Sequence, residues 1–67
     1  MTRAHGEELR RRLGRVLRRM RDQGGATLDE VDRITGATGV RVTRSHLSRV
    51  ENGEAELSVS RFLSLMG

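Results

Sequence analysis

Two short segments in the middle of the chain, each opened by a threonine, restrict this sequence to a helical fold. The first opens with Thr27-Leu28-Asp29-Glu30. This is the spacing of a capping box, in which the threonine hydroxyl caps the helix start and the glutamate reaches back to the threonine N–H. Apolar residues follow at helical spacing, and Thr35-Gly36 then favours a stop. We therefore predict a helix over residues 27–35.

The second segment runs from Val42 to Gly53 and carries the clearest functional pattern. It opens with the capping hydroxyl of Thr43 and ends in Asn-Gly, which predicts a helix over residues 43–52. Leu47 and Val50 are three residues apart and share one face. The opposite face holds side chains that can bind base edges or phosphates: Arg44, Ser45, Ser48, Arg49 and Asn52. Taken alone, the segment fits an ordinary amphipathic helix with a solvated polar face equally well.

The N-terminal part of the chain predicts a long basic helix over residues 6–22, preceded by a mobile stretch at residues 1–5. Its apolar residues recur at helical spacing and predict one buried stripe, formed by Leu9, Leu13, Val16, Leu17 and Met20. Seven arginines cover the rest of the helix: Arg10, Arg11, Arg12, Arg15, Arg18, Arg19 and Arg21. They are compatible with a solvated face, with phosphate contacts or with an anionic membrane surface. The membrane is the least favoured, because the core needs the apolar stripe.

Composition narrows the classes of function. The 67 residues include 13 basic residues, all arginine, and nine acidic ones, for a net charge of +4 that favours a polyanionic partner. The absence of cysteine excludes disulfides and thiolate metal sites. Phe62 is the only aromatic residue, which leaves single-stranded bases almost no stacking platform. With no membrane-length apolar run and no signal peptide, we expect one cytoplasmic, nucleoid-associated domain over residues 1–67.

The C-terminal residues predict a fourth helix over residues 58–66. Ser58 is a suitable N-cap. The expected inner face consists of Val59, Phe62, Leu63 and Met66. Because Leu63, Leu65 and Met66 are apolar and close to the last residue, we expect another segment or a partner to cover them. A fraying end is the alternative.

The chain also carries two longer motifs, Ser45-His46-Leu47-Ser48-Arg49-Val50-Glu51-Asn52-Gly53 and Leu17–Arg21 followed by Gly24–Leu28. The first resembles the recognition helix and exit turn of the phage repressor and Cro group of helix-turn-helix proteins, also called the XRE family. The second is similar to the first helix of that family and its link to the second. The resemblance extends from Leu13 to Met66. It implies a small all-α bundle of four helices, or of five with the last truncated, and a DNA-binding function.

The chain departs from the family pattern at three places. Five additional residues, Ala37–Arg41, lengthen the connection between the second and third helices. They predict an extended loop that either places Arg41 on a phosphate or is merely adaptable. Asp32 stands where the family usually has alanine, and Leu28 where many members have a glutamine that helps docking. The angle between the second and third helices is therefore the least constrained part of the predicted fold.

Together, the residues and the resemblance predict sequence-specific binding of double-stranded DNA by a bacterial or phage transcriptional regulator. The helix over residues 43–52 would enter the major groove. The predicted base-contacting residues are Arg44, Ser45, Ser48 and Arg49. The predicted phosphate-contacting residues are Thr27, Arg41, Thr43, Asn52 and Arg18. The resemblance also implies a structural ion pair between Arg21 and Glu51. We expect a homodimer on an inverted-repeat operator, because one such module is too small for high affinity.

We predict that the chain is not an enzyme and needs no cofactor or metal. Capping explains the acidic residues at the start of the second helix, and His5 and His46 have no companions at metal-ligand spacing. The alternative function is a protein-interaction module on the same fold, such as an antitoxin, an antirepressor or a polymerase-binding adaptor. Such a module would use the C-terminal apolar residues or the arginine face of the first helix.

Overall fold

The structure of the chain, a computed structural model, describes the backbone of residues 3–66 and the side chains of residues 6–66. Within this range it has four helices and no strand: α1 (Arg3–Gln23), α2 (Leu28–Thr38), α3 (Arg44–Glu51) and α4 (Val59–Met66). The predicted all-α fold class with four helices is confirmed. None of these helices combines the length and apolar character needed to cross a membrane. Helix α1 begins at Arg3, three residues before the predicted start at residue 6. The predictions for residues 1–2 and for the His5 side chain lie outside the described part of the chain.

Side-chain caps start the three shorter helices where the sequence predicts them. At α2 the capping box is complete: Thr27 Oγ1 accepts from the Glu30 N–H at 3.1 Å, and Glu30 Oε1 accepts from the Thr27 N–H at 3.3 Å. Thr43 and Ser58 cap α3 and α4, each accepting from the backbone N–H three residues later, at 3.2 and 3.3 Å. The local sequence thus determines where each of these helices begins.

The predicted end of α2 at Thr35 is wrong, since the helix continues for almost one more turn. It ends at Gly39, which has the left-handed backbone (φ +92°) that favours glycine. Thr35 is buried inside the helix, where its hydroxyl donates to the Val31 carbonyl at 2.7 Å and accepts from the Val42 N–H at 2.9 Å. The bond to Val42 fixes the position of the chain after the helix. Of the five additional residues, Ala37 and Thr38 lengthen α2 and the other three belong to the loop.

The loop between α2 and α3 spans residues 39–43 and is tied to two helices. Val42 is fully buried. From α4, Ser64 Oγ donates to the Val40 carbonyl at 2.9 Å and Arg61 Nε donates to the Arg41 carbonyl at 3.3 Å. The loop is slightly longer than the usual turn of three to four residues, because two of the additional residues, Ala37 and Thr38, belong to α2. Its contacts hold it in one place rather than leaving it loosely packed.

The helix α3 is the centre of the bundle. It packs against α1 and α2, and α4 packs against α2. The buried apolar side chains come from α1, the loop and α3, and none is more than 6% exposed: Leu17, Val42, Leu47 and Val50. Two sides of α3 are therefore covered, and the side opposite Leu47 and Val50 faces solvent.

The helices α1 and α3 approach most closely at Gly14, which is buried. A Cβ atom added there would lie 2.6 Å from the carbonyl oxygen of Glu51 and closer still to that of Val50. Contacts of this length do not occur between a real Cβ and a backbone oxygen. The crossing of the two helices thus requires a glycine at this position.

The apolar stripe predicted on α1 is buried only at Leu17, and the rest of that prediction is wrong. Its other four members are between 40% and 48% exposed: Leu9, Leu13, Val16 and Met20. The reason is that α1 packs closely against α3 alone among the helices described. Because this contact is centred on Gly14, it covers one flank of the stripe and leaves the other open.

The predicted inner face of α4 is also corrected. Val59, Leu63 and Met66 are 76%, 61% and 61% exposed, whereas Phe62 and Leu65 are partly buried. The helix is rotated so that Ser64 reaches the loop and Leu65 lines a mainly apolar cavity of about 220 Å³ beside α1. The contacts of α4 with α2 and with the loop decide this rotation, which helical periodicity alone does not.

The substitution Gly14→Ala should lower the free energy of unfolding by about 1–3 kcal/mol, because the new methyl group overpacks the crossing of α1 and α3. Urea unfolding followed by circular dichroism measures the change. Gly36→Ala is the matched control within α2, where the new Cβ would meet only the Arg41 side chain at 3.7 Å. It should raise stability by up to about 1 kcal/mol, since alanine is the better helix former. Equal effects at the two sites would contradict the close crossing.

Candidate nucleic-acid interface

The front of α3 is formed by the residues that point away from its buried side. Leu47 and Val50, each 2% exposed, fix the orientation of the helix. At 100° per residue, Ser45 and Asn52 project opposite them. Arg44, Ser45, Arg49 and Asn52 are exposed and Ser48 is partly exposed. The structure therefore brings all four predicted base-contacting residues onto one accessible surface, which we call the α3 front: Arg44, Ser45, Ser48, Arg49 and Asn52.

The two ends of α3 are closed by caps. The Thr43 hydroxyl oxygen accepts from the His46 N–H, which leaves its proton free to donate outward. At the other end, the Asn52 backbone N–H donates to the carbonyl of Ser48 at 3.1 Å. Gly53 follows with a positive φ of +76° and turns the chain away. Thr43 and Asn52 therefore lie at the two ends of α3, with polar side-chain atoms left for an external partner.

Carboxylates of α2 hold one arginine of the loop, Arg41, and one arginine of the α3 front, Arg44. Arg41 Nε donates to Asp32 Oδ1 at 2.7 Å. Arg44 Nη1 lies 3.4 Å from Asp29 Oδ1, with both side chains well exposed. Arg49 has no ion-pair partner among residues 6–66. Arg41 and Arg44 are therefore restrained by carboxylates, whereas Arg49 is not.

Asp32 also caps α3 from the neighbouring helix. Its Oδ2 accepts from the backbone N–H of Arg44, the first residue of α3, at 2.9 Å. The Arg44 N–H and the Arg41 guanidinium hold the pKa of Asp32 below its ordinary value, since both stabilise the ionised form. The carboxylate at this position therefore links α2, the loop and the start of α3.

Thr27 and Arg18, the remaining predicted phosphate contacts, are both exposed. The Thr27 backbone N–H already donates to Glu30, and its hydroxyl oxygen accepts from the Glu30 N–H, so only the hydroxyl proton stays free. Arg18 is exposed and has no ion-pair partner within the described side chains. It is placed one turn of α1 from both Gly14 and Arg21. Because those two residues contact the end of α3, Arg18 belongs to the same side of the molecule.

Arg21 and Glu51 form a bidentate pair that ties α1 to the end of α3. Arg21 Nε and Nη2 donate to the two Glu51 oxygens at 2.8 and 2.9 Å. Arg21 Nη1 donates in addition to the Ala26 carbonyl at 3.0 Å. The two side chains are 15% and 6% exposed. The hydrogen bonds to Glu51 raise the pKa of Arg21 above its ordinary value. The low exposure of both side chains shows that the pair is largely shielded from water.

Sequence reasoning missed the carboxylate partners of the two restrained arginines. Asp29 was explained by capping alone, and Asp32 was noticed only as a departure from alanine. The unusual carboxylate at Asp32 was a usable signal, because a charged residue between two packed helices needs a partner. The contact of Arg61 with the loop was not anticipated, since nothing in the local sequence relates α4 to Arg41. The described residues hold no group of three or more His, Asp or Glu side chains arranged for a metal ion.

Comparison with known proteins gives one match. The family model described as a helix-turn-helix domain matches residues 12–66, most of the chain. The matched residues include α2, α3, α4 and the C-terminal half of α1. The comparisons with curated proteins and with solved structures gave no match.

The substitution Arg21→Ala should lower the free energy of unfolding by about 3 kcal/mol or more, because it leaves the Glu51 carboxylate shielded and unpaired. Thermal or urea unfolding measures the loss. Arg12→Ala is the matched control on the same helix, because Arg12 pairs with Glu8 at 2.7 Å in an exposed i,i+4 arrangement. Its cost should stay below about 0.5 kcal/mol. Similar losses in the two variants would contradict a structural role for the Arg21–Glu51 pair.

The lowered pKa of Asp32 predicts a pH dependence of stability. Because this pKa is lower in the folded than in the unfolded chain, ionised Asp32 stabilises the fold above the unfolded pKa. That contribution is lost as the pH falls through the folded pKa. Between about pH 5 and about pH 2, the melting temperature of the wild type should therefore fall more steeply than that of Asp32→Asn. Parallel melting curves over this interval would show that the carboxylate does not link the helices as described.

Proposed function

The chain belongs to the helix-turn-helix domain family, and from this membership we propose that it binds double-stranded DNA in a sequence-specific manner. Helix-turn-helix domains bind DNA by placing the second of the two helices of the motif in the major groove. In this chain α3 would be that helix, with Arg44, Ser45, Ser48 and Arg49 at the base edges. The protein would act as a bacterial or phage transcriptional regulator in the cytoplasm, with no catalytic activity of its own.

The observation that carries the proposal is the contrast between the two sides of α3. On its buried side, Leu47 and Val50 are each 2% exposed, and both ends of the helix are capped. Its front carries hydroxyls, an amide and guanidinium groups without an apolar side chain among them. Exposed arginine can donate two hydrogen bonds to guanine, and serine can reach either bases or phosphates.

The surroundings of the α3 front supply candidates for phosphate binding. Thr43 and Asn52 are at its two ends and Arg41 is beside its start. Thr27 opens α2, and Arg18 is on the adjoining side of α1. Contacts of this kind position a protein on the duplex without reading its sequence. Since one small domain gives limited affinity, we propose that two copies bind an inverted repeat with half-sites about one helical turn apart.

Selection from randomised duplex DNA, followed by titration of the selected duplexes at two salt concentrations, tests the proposal. We expect one recovered motif that is bound far more tightly than a scrambled duplex of the same length. Weak binding without any motif, with affinity that falls steeply with salt, would contradict sequence-specific recognition. It would reduce the arginines to general attraction for polyanions.

A protein-interaction module is the second candidate, and the exposed apolar side chains of α4 favour it. Val59, Leu63 and Met66 are each more than 60% exposed. A partner protein bound there would make Leu63→Glu and Met66→Glu the damaging changes, while Arg44→Ala and Arg49→Ala would leave binding intact. The DNA-binding proposal requires the opposite pattern, so the four variants separate the two candidates.

The substitutions Arg44→Ala and Arg18→Ala should weaken DNA binding in different ways. Loss of Arg44 should remove about 1–3 kcal/mol of discrimination at one base pair. Loss of Arg18 should weaken binding to every duplex about equally and reduce the slope of log affinity against log salt by about 1. Titration against the best duplex and its single-base variants, at several salt concentrations, measures both effects. If Arg44→Ala kept the affinity and selectivity of the wild type, α3 would not be the recognition helix.

A further inference from the structure

Asp29 lies at the surface beside Arg44, the residue at the start of α3 that is proposed to contact bases. Its Oδ1 lies 3.4 Å from Arg44 Nη1, and the two side chains are 75% and 63% exposed. An exposed pair of this kind adds little to stability. The contact is therefore free to serve another purpose than holding the fold together.

Both the main chain and the side chain of Arg44 are attached to α2. Asp32 accepts from its backbone N–H at 2.9 Å, and Asp29 contacts its guanidinium. The two aspartates are three residues apart and thus share one face of α2. The first anchors the start of α3 and the second limits where the end of the Arg44 side chain can go.

The guanidinium group has five N–H donors in a planar fork. Asp29 occupies one donor on Nη1, and the remaining donors suffice for the O6 and N7 acceptors of a guanine. A freely mobile arginine facing a wrong base can turn to a phosphate instead, which gives affinity without selectivity. A carboxylate beside it restrains this movement and repels the phosphates of every sequence equally.

We propose that Asp29 is a specificity-determining positioning residue, which acts by restraining Arg44 so that only a duplex with a matching base gains its full contact. This inference rests on the proposed DNA-binding function. It assigns selectivity to a residue of α2 that itself makes no base contact. Discrimination of this type comes from weakening the wrong complexes rather than from strengthening the right one.

The experiment compares the wild type with Asp29→Asn on the selected duplex and on the set of its single-base variants, by fluorescence anisotropy at one salt concentration. At the base pair where Arg44→Ala loses discrimination, Asp29→Asn should bind the substituted duplex more tightly. The ratio of dissociation constants should shrink about two- to fivefold there, which is the range measured for exposed ion pairs. The ratios at the other base pairs should stay as in the wild type.

A matched charge control distinguishes restraint from general repulsion. Glu54 is exposed, and its side chain forms no ion pair within the described residues. Glu54→Gln removes one negative charge without freeing an arginine, so it should strengthen binding to all duplexes alike and leave every ratio unchanged. If Asp29→Asn behaved in the same way, with all ratios kept, Asp29 would act only through its charge and the inference would be overturned.

A double-mutant cycle tests whether Asp29 acts through Arg44. In the Arg44→Ala background, Asp29→Asn should change no ratio further, because no guanidinium remains to be restrained. A further loss of selectivity in that background would overturn the inference. A wild-type protein with no base preference would overturn the proposed function and this inference together. Unchanged ratios in Asp29→Asn with a selective wild type would overturn the inference alone.

Discussion

The fold depends on the bidentate contact of Arg21 with Glu51. It joins the end of α1 to the end of α3, and the third bond of Arg21, to the Ala26 carbonyl, adds the turn before α2. Among residues 6–66 only four apolar side chains are buried, Leu17, Val42, Leu47 and Val50, so the hydrophobic contribution of such a small core is limited. Polar ties between helices then determine their relative positions to an unusual degree. Since the pair is largely shielded from water, neither partner tolerates the loss of the other.

The second set of ties joins α2 to α3 and sets the angle between them. Thr35 binds the Val42 N–H, and Asp32 binds the Arg44 N–H. Both acceptors are side chains of α2, and both donors are backbone groups at the entrance of α3. An alanine at position 32 would allow closer packing but would leave the Arg44 N–H without this partner. The chain thus combines a longer loop with a hydrogen-bonded, rather than tightly packed, contact between the two helices.

The parts of the fold that local sequence determines could be predicted, and the parts that depend on distant contacts could not. The capping residues gave the starts of α2, α3 and α4 correctly, because a cap acts within four residues. The end of α2 was missed because Thr35-Gly36 and Thr38-Gly39 look alike locally. Only the distant Val42 N–H, which binds Thr35, places the first pair inside the helix. The order of the helices and the orientation of the α3 front followed from the sequence, whereas the partners of its arginines did not.

The exposed sides of α1 and α4 show the limit of periodicity as evidence for burial. Leu13 and Leu17 belong to the same stripe, yet they are 40% and 6% exposed. Periodicity states which residues share a face, but burial also needs a neighbour. Gly14 directs the contact of α1 with α3, its only close helix contact within the described residues, to one side of the stripe. The membrane was judged least favoured for the basic helix because the core would use this stripe. With most of the stripe open to solvent, that argument no longer applies, and the match to a helix-turn-helix domain becomes the stronger reason to prefer DNA.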